Sequence, residues 1–167
     1  MPSALRTNDD GEAGAAGLGA MTRLLTAALS PLRPAPSPGR EVIASWGLRL
    51  VAAGLLVWIA GIHLRLWQEG YKFIPTDGPL FLLDAIVAFA LAAAILAWAA
   101  PLTGLLATGF VAATLGALII SLTVGLFGFR ESISASFVVL SIELESVAML
   151  VLLGCTALAA VTSARSR

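Results

Sequence analysis

The chain carries one cysteine, one histidine, one tyrosine and one lysine among 167 residues, and only 12% of them are charged. A lone cysteine, Cys155 in an apolar run, excludes an intrachain disulfide framework, a CxxC redox pair and a thiolate zinc site. A lone histidine, His63, leaves a haem held between helices without its usual second axial histidine, and Met149 lies about seven residues of helix too deep to replace it. Ten basic residues balance ten acidic ones, with a pI near 6.6, and no clustered basic face is visible, which excludes nucleic acid as a partner. No GxSxG elbow, HExxH pair or glycine-rich phosphate loop occurs. Neither a catalytic residue, a cofactor nor a metal is therefore expected, and an enzyme is not the leading class.

What the chain does have is apolar length. Apolar residues make up 59% of it, and the mean hydropathy is +0.95, more than a water-soluble fold can cover. Four apolar runs stand at about 45–66, 79–100, 102–127 and 136–161, each reaching the ~20 residues that an α-helix needs to cross hydrocarbon. Trp46 and Trp67 frame the first run, roughly 31 Å apart at helical rise, and Trp98 ends the second. Lipid cannot hydrogen-bond open backbone, so these runs should be helices.

Between them lie short breaks. Pro79 suits a first helical turn, with Thr76 or Asp77 to cap it. Ala100–Gly104 and Gly128–Ser134 make tight links, so successive helices should be antiparallel. The expected fold is an all-α membrane protein, a transmembrane up-down-up-down bundle over residues 41–164. Arg23, Arg33, Arg40, Arg49, Arg165 and Arg167 on one side outnumber Arg65, Lys72 and Arg130 on the other. That bias places both termini in the cytoplasm. Residues 1–40, rich in Pro, Gly, Ala and Arg, read as a disordered tail, within which Met21–Leu32 is either a short surface helix or follows the true start at Met21. Residues 165–167 form a short basic tail.

The third run offers small residues every fourth position, Gly109, Ala113, Ala117, Ser121 and Gly125. In lipid such a stripe lets backbones approach closely, within the monomer or against a homo-oligomer or another membrane protein. The informative polar residues are His63, Asp84, Glu143 and Glu145, because an ionisable group inside a span costs several kcal/mol and persists when paired, hydrated or useful. All four fall in the outer half of the proposed membrane. Glu143 and Glu145 lie about 200° apart around a helix, so only one of them can face the bundle, and the sequence leaves open which. Two readings follow: a structural or accessory membrane component, or a proton- or cation-coupled carrier or sensor built on these four residues.

Gly61–Trp67, followed by Tyr71, Ile74-Pro75 and Gly78–Asp84, resembles a pattern in small four-helix integral membrane proteins of actinobacteria that have no assigned activity. The likeness covers about 24 residues. It implies a bacterial plasma membrane and gives weight to the first loop.

Overall fold

The computed structural model describes residues 39–165, together with residues 19, 22 and 23. The tail expected over 1–40 and the basic end at 165–167 lie almost wholly outside the described residues. Four helices follow in order: α1 (Gly39–Glu69), α2 (Asp77–Ala97), α3 (Pro101–Thr123) and α4 (Val138–Arg165), with one 3-10 turn at Tyr71–Phe73 between the first two. All four are long and apolar enough to cross a bilayer. Among the described residues there is no strand beyond a single bridge between Leu126 and Phe129.

The helices form a ring in chain order, and neighbours run antiparallel. Arg49, near the start of α1, reaches the last turn of α2. Thr114 on α3 meets Glu145 early in α4, and Gly104, early in α3, lies against Thr156 late in α4. α1 packs on α2 and α4, and α3 packs on α4, while the seam between α2 and α3 is the thinnest. The bundle therefore has two ends. One carries the termini and the α2–α3 link; the other carries the α1–α2 and α3–α4 loops.

Small side chains draw the helices together. Ala52, Ala53 and Ala60 on α1 and Ala85, Ala88 and Ala92 on α2 are buried, with Leu56, Ile59, Val111 and Leu152 filling the centre. Small residues let the backbones approach closely, so this contact gains from dispersion and close fit.

Helix ends differ from those expected, for local reasons. α2 stops at Ala97 rather than 100, because Ala100 precedes Pro101 and takes extended backbone (φ −96, ψ 143). α3 stops at Thr123 rather than 127. Gly125 there adopts φ +89, and Phe127 and Gly128, both at positive φ, close a tight turn whose flanking Leu126 and Phe129 exchange hydrogen bonds of 2.7 and 2.8 Å. α4 starts at Val138 after Phe137 at φ 66. α1 starts at Gly39, earlier than 45, and its 31 residues exceed what hydrocarbon alone requires. No side chain caps α2: Thr76 donates and accepts nothing there, and the Gly78 N–H instead donates to the Ile74 carbonyl at 3.0 Å.

The small-residue stripe does not act as one packing face within the chain. Gly109 and Ala113 are exposed, Ala117 and Ser121 line a cavity, and Gly125 lies beyond the helix end. Four residues turn an α-helix by about 400°, so a four-residue repeat drifts by about 40° per step and winds off any single neighbour. The face that meets α4 is instead Gly104, Ala107, Val111 and Thr114, all buried.

Candidate functional site

At the loop end the helices part around a cavity of about 110 Å³, room for several water molecules. His63 enters it from α1. Its Nδ1 lies 2.9 Å from the Ile59 carbonyl, and a carbonyl only accepts, so Nδ1 carries a hydrogen. Nε2 then points at Asp84 Oδ2, 3.9 Å away on α2. The ring leans on Phe81 at a centroid distance of 5.4 Å. If the imidazole is neutral, its free lone pair faces a carboxylate oxygen, and two acceptors face one another. A second proton or a cation relieves that arrangement.

Glu145 of α4 is the deepest charge-bearing group, only 2% exposed. Thr114 Oγ1 donates toward its Oε2 at 3.2 Å and lies 3.0 Å from the Val111 carbonyl. A hydroxyl has one proton for these two acceptors. Protonation of Glu145 would resolve the competition by making the carboxyl the donor to Thr114.

Three of the four ionisable residues read from the sequence therefore meet in one cavity. Glu143 does not join them: it is exposed on the outward face of α4. The geometry of the helix settles the alternative, since burying Glu145 turns Glu143 away.

The cavity also holds residues that the sequence reading gave other tasks. Asp77, read as a cap, is 6% exposed, and its Oδ2 has no hydrogen-bond partner among the described residues. An unsatisfied buried acceptor of this kind costs about 1–3 kcal/mol. Glu131, from the α3–α4 loop, accepts from Tyr71 Oη at 2.5 Å and, through its other oxygen, from the Ser132 N–H at 3.0 Å. Tyr71 packs on Phe81 and Phe129 at 4.6 and 5.9 Å. This strap ties the two loops together above the cavity. Burial, the hydrogen bond to Glu131 and the nearby Glu131 and Asp77 charges push the Tyr71 phenol above its ordinary range, so it remains a donor. The spacing held one missed signal: Asp77 precedes Asp84 by seven residues, two helical turns on one face.

Four carboxylates and one histidine line the space, and no lysine or arginine does. Among the described residues no three histidine, cysteine, aspartate or glutamate side chains converge as a metal-ligand set. Arg65, at this end, turns outward to Glu69 at 2.7 Å and lies over the Phe137 ring.

The other end is built differently. Arg49 lays its guanidinium on the Ile95 and Leu96 carbonyls at the end of α2, with Nε to Ile95 at 2.8 Å, and stacks over Trp46 at 4.2 Å. It thus satisfies carbonyls that the end of a helix leaves open. A space of about 30 Å³ lies there.

Neither a family model, a curated protein nor a solved structure matches the chain.

Proposed function

We propose that this is a multi-pass protein of a bacterial inner membrane whose loop-end cavity holds and exchanges a proton or small cation, as a cation-coupled carrier or sensor. The observation that carries this reading is the His63–Asp84 pair. With Nδ1 committed to Ile59, Nε2 and the Asp84 carboxylate, 3.9 Å apart, are both acceptors, and a proton or a cation between them reconciles the pair. Glu145 and Thr114 add a second site where one proton decides the hydrogen bonding. The arginine excess at the termini end favours a cytoplasmic location for that end, so the cavity would lie toward the outer side.

The chain has one histidine, which makes the test direct. In ¹⁵N spectra of the reconstituted protein, the His63 ring nitrogens should report a protonation change with pH that Asp84→Asn alters. A neutral Nδ1–H ring that ignores both pH and this substitution would overturn the proposal. Dye-monitored proton movement into vesicles then separates a carrier, which shows flux lost in Glu145→Gln, from a sensor, which shows none.

An accessory role beside another membrane helix is the competing reading. It is favoured by the exposure of Gly109 and Ala113 together with the outward-facing Glu143 inside the span. A change in complex size with Gly109→Leu, alongside a silent His63, would support it.

A further inference from the structure

The cavity's charges are arranged at two depths rather than around one point. Asp77 and Asp84 occupy one face of α2, seven residues and hence roughly 10 Å apart. Each has a carboxylate neighbour from the opposite side of the cavity. Glu131, from the α3–α4 loop, and Glu145, from α4, line that side. Between the two levels, Leu80 and Phe81 stand three and four residues after Asp77, and Leu66 and Leu118 complete an apolar wall. The pattern along α2 is acid, apolar, acid on a single face.

A small metal ion suits this poorly. Calcium and magnesium take about six or more oxygens around one centre, and no three acidic or imidazole groups converge. A single ammonium would answer one level and leave the acid at the other without a cation in low dielectric. Asp77 Oδ2 in particular is buried, lies at the cavity wall and accepts from nothing among the described residues. The aromatic rings of Tyr71 and Phe81 beside it suit a cation that is only partly hydrated.

We propose that the cavity binds a linear aliphatic diamine in its diammonium form, one nitrogen between Asp77 and Glu131, the other between Asp84 and His63, with the methylene chain along Leu66, Leu80 and Phe81. The proposal rests on the cation-holding reading above and names its occupant. His63 is neutral when the deeper ammonium is bound, because Nε2 then accepts from that ammonium, so the diamine and the second imidazole proton compete for the same place.

The test uses the full chain in lipid nanodiscs and calorimetric titration with hexamethylenediamine, hexylamine and trimethylenediamine. The longer diamine should bind about tenfold or more tightly than either of the others, a difference of one added charged contact. Hexylamine lacks the second nitrogen, and trimethylenediamine is too short to reach both levels. Asp77→Asn and Asp84→Asn should each bring the long diamine down to the affinity of hexylamine, whereas Glu143→Gln should change nothing. Binding of the long diamine should also remove the pH response of the His63 ring nitrogens. Equal affinities for the three amines in the wild-type chain would overturn the proposal without any variant having to fold. If His63 responds to pH and Asp84→Asn while no amine binds, this inference fails and the proton-holding reading stands. If neither amine nor pH is felt, both fail.

Discussion

Where α1 starts and α4 ends, the helices stand around a space of about 30 Å³, whereas at the loop end they stand around one of about 110 Å³. The difference lies in what each end must satisfy. Near the termini, one cation meets its acceptors: Arg49 spans the Ile95 and Leu96 carbonyls, and Gly104 lets α3 come against Thr156. Near the loops, acids accumulate without a lysine or arginine to answer them, and Asp77 keeps an oxygen with no donor among the described residues. A fold selected for stability alone would neutralise or pair such groups, since unpaired buried charge is among the costliest features a core can hold. One end fastens the bundle, and the other keeps a polar vacancy open inside it.

The largest effect should come from breaking the fastened end. Arg49→Ala should lower stability in detergent by about 3 kcal/mol, because two helix-end carbonyls lose a charged donor. Arg49→Lys, a single point charge without the fork, should restore only part of this. Thermal unfolding followed by circular dichroism checks both, and an unchanged midpoint for Arg49→Ala would remove Arg49 from its role as fastener.

Gly104→Ala comes next, at about 2 kcal/mol. The added Cβ would lie 3.2 Å from both Cα and Cβ of Thr156, so α3 and α4 must separate along their tightest seam. The same substitution at Gly109, where nothing lies within 4 Å, should be neutral or slightly stabilising by helix propensity. Equal responses at the two glycines would contradict the packing described.

The smallest effect belongs to the strap over the cavity. Tyr71→Phe should cost about 1 kcal/mol, the worth of one hydrogen bond. Tyr71 is the only tyrosine, so phenolate absorbance reads it alone. Its folded-state ionisation lies above the ordinary value of about 10. Because the folded chain then holds the proton more firmly than the unfolded one, this group's contribution is complete below about pH 10 and declines as the pH rises beyond it. A phenol that titrates at the same pH folded and unfolded would mean that the strap does not form. Glu131→Gln should bring the titration down toward the ordinary value by removing a nearby negative charge.

Much of this architecture is legible along the chain. Four uninterrupted apolar runs have only one way to satisfy their backbone in lipid, so their number and helical character follow without tertiary knowledge. Their ends are less legible, since Phe127 and Phe137 take positive φ where an apolar residue reads as a continuing helix. His63, Asp84 and Glu145 stand out because charge inside a span is conspicuous. Asp77, Tyr71 and Glu131 do not, because polar residues in a loop look like any solvated connection until the fold turns them inward.

The sequence by itself determined that the chain has four apolar helices, joined by links short enough to make neighbours antiparallel, with four ionisable groups along them. Only the tertiary structure decided which groups meet. Helical spacing says that Glu143 and Glu145 point apart, but the rotation of α4 against α1 and α3, set by the fit of Ala148 and Leu152 into the core, selects Glu145. Period fixes relative direction within one helix; the direction relative to a neighbour comes from packing, which no single helix contains.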